Sequence, residues 1–479
     1  MKLAKLTISQ VKKGLKEKEF SCQELLSYYF KQIEDQSDLN SFITLNKNQA
    51  LKEAAEVDRK IENGDELLEL AGVPMAVKDI ILTEGLKTTG SSKILADYVA
   101  SYDATVIKRL KEQGAIVLGK TGCDEFAMGS SNENSAFGPV KNPYDLARVP
   151  GGSSGGSAVA VAADQCVFSL GTDTGGSIRQ PAAFTGVCGL KPSYGRVSRY
   201  GLMAMASSLD QPGPFTRTVE DAAVILKAIA GADDYDATSS AKKVDDYFDY
   251  LSKDLKGFKI GLDPAYLNQP GLAREVKEAV ERSVVKFKDL GAEIKEVKLP
   301  KAELALAAYY ILMPAEVSSN LARYDGIRYG LSANTAKDLE EVYQKTRAEG
   351  FGAEVKRRII IGTYVLSAGY QDQYYQQARK VRQFLKDEYN KVFQKVDALI
   401  TPTTPTTAFK LGEKINDPLS MYLADIYTVT ANIVGLCGLS LPIGFDSQGL
   451  PIGLQLLGAP FAEGKILQAG YNYQQSISF

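Results

Sequence analysis

The 479-residue chain contains no histidine. That absence removes histidine metal ligands and histidine pH switches, and it denies any nucleophilic serine the base that most often activates it. A serine hydrolase built from this sequence must therefore draw its base from lysine or a carboxylate. Cysteine is scarce too. Cys22, Cys123, Cys166, Cys188 and Cys437 are odd in number and form no Cys-x-x-Cys pair, which argues against a zinc site or redox couple and for reduced, mostly buried thiols. Neither sign of charge is in excess, with 56 basic residues against 58 acidic ones. No basic footprint equips the chain to grip a nucleic acid backbone, and any RNA contact is expected through a partner. No run of about 18 apolar residues is present to span a bilayer, and Met1 to Gln10 lack the apolar stretch of a secretion signal. The expected location is the cytoplasm, with no membrane contact.

What is there is an ordinary globular composition, 44% hydrophobic, ample for a large buried core. Ser21 and Glu24 form a capping box ahead of Leu25, Leu26, Tyr29 and Ile33 at helical spacing, so about the first 65 residues read as helical. Strand and helix then alternate: Val73 to Leu82 and Ala115 to Gly119 as strands, Ala104 to Gly114 as a helix, Ser157 to Ala163 as a helix, Cys166 to Leu170 as a buried strand. Phe258 to Leu262 makes another strand, and Val276, Val280, Val284 and Phe287 stripe a helix that Gly291 ends. Residues from about 301 to 395 read as a largely helical excursion or lid. Strands return at Asp397 to Ile400, Leu439 to Ile443 and Ile452 to Leu457, the last two joined across Asp446-Ser447-Gln448-Gly449. The expectation is one continuous α/β domain over residues 1–479.

Two glycine-serine clusters sit in loops beside sheet elements, where α/β proteins place their chemistry: Gly151 to Ser157 and Gly171 to Ser177. A flexible linker is the wrong reading, because the first cluster runs straight into Ala158-Val159-Ala160-Val161 rather than joining separable blocks. An anion-binding nest is the stronger alternative, although neither cluster has a P-loop ending or a Gly-x-Gly-x-x-Gly fingerprint. Lys78 is the remaining candidate, a lone cation in the apolar strand Met75 to Ile81; taken alone it reads more often as a snorkelling or paired lysine than as a base, with Asp79 beside it as the partner.

The clusters, from Gly151 through Ser157 and from Gly171 through Ser177-Ile178-Arg179-Gln180-Pro181, resemble the amidase signature family. The resemblance implies a central mixed β-sheet covered by helices and a Ser-cisSer-Lys triad, with Ser177 as nucleophile, Ser153 as bridging serine after a cis peptide bond, and Lys78 as base. It also implies an oxyanion hole from the backbone N–H groups of Thr174, Gly175 and Gly176, and no metal. Burial in an apolar strand would lower the pKa of Lys78 as this chemistry requires.

Further stretches, Gly119 to Ser131, Leu190 to Gly201 and Ser318 to Gly326, are similar to the glutamine-hydrolysing A subunits of tRNA-dependent amidotransferases. That similarity implies that glutamine is held by Arg358, with Arg357 adjacent, on its carboxylate, by Asp425 on its ammonium, and by Tyr309 lining the same pocket. It implies B and C subunits as partners, ATP and Mg at the B subunit rather than in this chain, and misacylated tRNA, Glu-tRNA(Gln) or also Asp-tRNA(Asn), bound mainly by the B subunit. One departure is Cys437 in Gly435 to Ser440, where proline is expected; with no histidine to activate it, it reads as a small buried residue. Two other readings remain: a stand-alone amidase of a different amide, which has no need of Arg358 and Asp425, and a non-catalytic anion-binding scaffold.

Overall fold

A computed structural model of the chain describes residues 3–477. Eleven strands form one sheet: β1 Phe42–Leu45, β2 Pro74–Lys78, β3 Ile116–Thr121, β4 Phe168–Asp173, β5 Cys188–Lys191, β6 Gln211–Thr216, β7 Lys259–Leu262, β8 Glu293–Glu296, β9 Ala398–Pro402, β10 Cys437–Phe445 and β11 Pro451–Gly458. Their lateral order is β1-β3-β2-β4-β6-β5-β10-β11-β9-β7-β8. The sheet is mixed. β2 runs parallel to both β3 and β4, and β7 to both β8 and β9, while the other pairings are antiparallel.

Four strands, β1, β5, β6 and β8, lie outside the strands expected from the sequence, β1 within the section expected to be helical. β6 reads Gln-Pro-Gly-Pro-Phe-Thr. Pro212 and Pro214 fall at alternate positions, which leaves Gln211, Gly213 and Phe215 to carry the ladder to β4. β1 and β8 are the two edges; β8 reads Glu-Ile-Lys-Glu with only Ile294 partly covered, so no apolar run marks it. The helical N-terminal section is in fact three helices, Ile8–Lys16, Cys22–Asp35 and Lys47–Asn63, interrupted by β1. Its capping box forms: the Glu24 N–H donates to Ser21 Oγ at 3.0 Å and the Ser21 N–H to the Glu24 carboxylate at 2.8 Å.

One buried apolar cluster runs from Leu6 to Tyr473 and draws fully buried residues from every strand except the edges β1 and β8. Helices 302–320, 339–350, 353–366 and 376–393 make up the helical section. The helix 302–320 packs on 353–366 and on 376–393, 302–320 and 376–393 pack on the helix Val429–Val434, and 339–350 packs on the turn Lys93–Leu95, so most of this section is one helical layer. All five cysteines are free and buried. Among the described residues, no helix is long and apolar enough to cross a membrane.

Candidate active site

Parallel neighbours bring their C-terminal ends side by side, and that is where open α/β sheets place ligands. Lys78 is the last residue of β2, and Thr172 and Asp173 end the adjacent β4. Lys78 is fully buried. Its Nζ lies 2.7 Å from Ser153 Oγ, 2.9 Å from Ser154 Oγ and 2.9 Å from Thr172 Oγ1. Burial lowers its pKa to about 8, against the opposing pull of the nearby Asp124, Asp173 and Asp210. Asp79 is not its partner. Side chains alternate along a strand, and the Asp79 carboxylate instead lies 3.6 Å from Lys120 and accepts the Thr89 N–H and hydroxyl.

Three buried lysines, Lys78, Lys120 and Lys191, all have pKa values pushed down by burial to about 8. Geometry separates them. Lys120 donates to the Ile81 carbonyl and Thr88, and Lys191 to the Pro192 carbonyl; Lys78 alone faces serine hydroxyls. Ser154 donates its own proton to the Thr172 carbonyl at 3.0 Å, which leaves Ser153 as the serine able to hand a proton to the amine.

Ser153 follows a cis Gly152–Ser153 peptide bond in the loop that enters the buried helix Gly155–Ala162. Gly152 is required there by space: a Cβ would collide with the Asp124 carboxylate and the Ser131 N–H. Ser177 lies on the neighbouring loop between β4 and the helix Arg179–Thr185 and is half-buried. Its hydroxyl makes no hydrogen bond among the described residues. The structure thus joins Lys78 to Ser153 directly and sets Ser177 on the adjacent loop without a bond between the two serines.

That loop is fastened by an ion pair whose roles the sequence did not reveal, although both members fall inside the quoted motif. The Asp173 carboxylate accepts Arg179 Nη2 at 2.9 Å and Nε at 3.0 Å. Arg179 also reaches the Thr428 carbonyl, Gln455 and Asn432, so all five of its N–H groups are used. Burial works to raise the Asp173 pKa, but the Arg179 guanidinium and the Asn432 amide hold it down at about 2. Replacing Arg179 by methionine strands a buried carboxylate, and we expect a loss of about 3–5 kcal/mol in unfolding free energy. An unaltered chemical denaturation midpoint would contradict that.

Among the expected oxyanion donors, Gly176 has an internal partner. The Gly176 N–H donates to Asp173 Oδ1 at 2.9 Å, because the carboxylate folds back under the turn. The N–H groups of Thr174, Gly175 and Ser177 have no partner among the described residues, so the open donors are those three.

The residues expected to hold an amino acid gather on the far side of this loop. Tyr309 packs on it so tightly that a Cβ at Gly175 would lie 2.6 Å from the phenol oxygen. Thr428 Oγ1 donates to the Gly175 carbonyl at 2.7 Å, and the Thr428 N–H to the Asp425 carbonyl at 2.9 Å, tying the Asp425 segment to the Ser177 loop. Asp425 Oδ2 accepts from Ser130 at 2.7 Å and Tyr310 at 3.0 Å, while its Oδ1 makes no bond among the described residues. Burial raises this carboxyl to about 6.

Arg358 is only 3% exposed, whereas the Arg357 side chain is 39% exposed, so the buried member of the pair is Arg358. Its guanidinium lies over the Tyr422 ring, 5.9 Å from the centroid, and Tyr422 stacks on Tyr310 with centroids 3.9 Å apart. Sequence reasoning missed Ser130, Tyr310 and Glu354. Ser130 sits in a stretch that carries the resemblance, and Glu354 precedes Arg358 by four residues, a helical pairing signal. Cys437 is buried, as expected of a small packing residue.

The amidase family profile matches residues 24–467. The A subunit of the glutamyl-tRNA(Gln) amidotransferase of Koribacter versatilis is 53% identical over 474 residues, spanning 99% of this chain and 98% of that protein. Its counterpart in Thermoanaerobacter pseudethanolicus is 54% identical over 480 residues, spanning 100% and 98%. The crystal structure of the glutamyl-tRNA(Gln) amidotransferase A subunit from Thermotoga maritima has a TM-score of 0.80 at 42% identity and covers 98% of this chain and 94% of that one. With the buried lysine, the paired glycine-serine loops and this full-length similarity, the chain belongs to the amidase family, among the glutamyl-tRNA(Gln) amidotransferase A subunits.

Proposed function

We propose that this chain hydrolyses the side-chain amide of free glutamine and supplies the ammonia to a partner subunit that amidates Glu-tRNA(Gln). In this reading neutral Lys78 takes the proton of Ser153, and Ser153 takes that of Ser177. The Ser177 oxygen then bonds to the amide carbon, with the negative charge on the carbonyl oxygen facing the open N–H groups of Thr174, Gly175 and Ser177. The carbon–nitrogen bond breaks as the proton returns along Ser153 to the leaving ammonia, and water releases glutamate from the acyl-enzyme by the reverse relay. A small rotation of the Ser177 side chain completes the relay, since catalytic hydrogen bonds commonly tighten only with substrate bound.

The single observation that carries glutamine as the substrate is the opposite charge of Arg358 and Asp425 beside the nucleophile loop. The guanidinium takes the α-carboxylate in a two-bonded fork, and Asp425 Oδ1 takes the α-ammonium. A neutral amide would leave the Nη1–Nη2 end of Arg358 and the unbonded Oδ1 of Asp425 without a partner, which disfavours the stand-alone amidase reading. Partner B and C subunits complete the assembly, with ATP and Mg at the B subunit, and Asp-tRNA(Asn) is a second acceptor there.

The test is glutamate release from glutamine by the purified chain, alone and with B and C subunits, ATP and misacylated tRNA. Release should rise with the full set, and Arg358→Ala should raise KM for glutamine on the order of 10²-fold. Cleavage of simple aryl amides without any glutamate release would move the assignment to a stand-alone amidase.

A further inference from the structure

Arg358 projects from the helix Ala353–Leu366, and its Nε donates to Glu354 Oε1 at 2.8 Å. Nη1 reaches only the soft sulfur of Met313 at 3.7 Å, and Nη2 has no partner among the described residues. Glu354 is itself buried and held in place. Its Oε1 accepts the Tyr422 hydroxyl at 3.2 Å, and its Oε2 accepts Arg357 Nη1. The guanidinium is thus bound along its Nε side, and its Nη1–Nη2 end is left open beside Tyr309, Tyr310 and Tyr422.

The open end faces a hazard. Asp425 carries an unbonded Oδ1 in the same pocket, since its Oδ2 accepts the hydroxyl of Tyr310, which stacks on the Tyr422 ring that the Arg358 guanidinium overlies. A guanidinium free to turn would fork onto Asp425, and both charges needed for an amino acid would then be spent on each other. From this geometry we propose that Glu354 is a positioning residue, which anchors Arg358 through Nε, keeps it off Asp425 and so presents the fork to the α-carboxylate of the substrate. The proposal rests on the glutamine reading given above.

It is tested in the assembled complex with two substrates, glutamine and 4-aminobutanamide, which keeps the amide and the ammonium but lacks the α-carboxylate. Glu354→Ala should lower the ratio of kcat/KM for glutamine over 4-aminobutanamide at least about tenfold, through KM for glutamine. Glu354→Gln, which keeps an oxygen acceptor for Nε, should restore most of that ratio. A ratio within about twofold of the parent in Glu354→Ala, with Arg358→Ala still lowering it strongly, overturns the positioning role and leaves the glutamine pocket standing. An unchanged ratio in both variants sinks the pocket assignment, and the positioning role with it. Equal losses on both substrates together with a lowered melting temperature mark Glu354 as structural and also overturn the proposal.

Discussion

Glutamate release should fall on the order of 10⁴-fold or more when Ser177 is replaced by alanine, with the folded chain and its assembly with partner subunits intact. The expectation follows from position. Ser177 is the half-buried hydroxyl beside the open N–H groups of Thr174, Gly175 and its own backbone, whereas Ser153 and Ser154 lie fully buried against Lys78. Removing one surface-facing oxygen breaks no hydrogen bond in the structure, so a stability change cannot masquerade as a chemical one. A Ser177→Ala chain that still made glutamate at the parent rate, or that was labelled by a serine-directed inhibitor at the parent rate, would remove Ser177 as nucleophile.

The second large effect belongs to Lys78. Lys78→Met fills nearly the same volume without a basic nitrogen, and kcat should drop by about 10² to 10⁴, the usual span for loss of a general base. The sign of the pH dependence follows from the direction of the shift. Burial holds the Lys78 pKa at about 8, and only the neutral amine accepts a proton, so kcat/KM should rise with pH and level off above about 8. At pH 7 roughly a tenth of the molecules carry the neutral amine. Asp425 acts in the same direction at lower pH. Its carboxyl is raised by burial to about 6 and must be ionised to hold an ammonium, so the slope should steepen below that value. Lys78→Arg should not rescue, because guanidinium stays charged at any working pH. A limb near pH 8 that survived unchanged in Lys78→Met would assign it to another group.

Much of this site was readable from residue types in order. The lack of histidine excluded the common serine-hydrolase base, and the two glycine-serine clusters announced close-packed loops, since only glycine fits where Gly152 meets Asp124 and Gly175 meets Tyr309. Lys78 stood out as a charge in an apolar strand. The chemistry of single residues and the spacing of local motifs are properties of the chain itself, which is why they survive without a fold.

Other decisions needed residues distant in sequence to meet. Burial alone lowers Lys78, Lys120 and Lys191 alike, and only the parallel pairing of β2 with β4 brings Lys78 to the serines. Arg357 and Arg358 are indistinguishable as letters, and the packing of the helices Ala302–Asn320 and Ala353–Leu366 decides which is buried. The engagement of the Gly176 N–H by Asp173 depends on a turn that no composition encodes. The strand β6, with its two prolines, exists because β4 and β5 offer it partners. The sequence by itself therefore determined which groups are available for chemistry and the class of reaction they suit. The tertiary structure decided which of the equivalent candidates meets the serine hydroxyls and which lies buried, because burial and hydrogen bonding are set by neighbours from the rest of the chain.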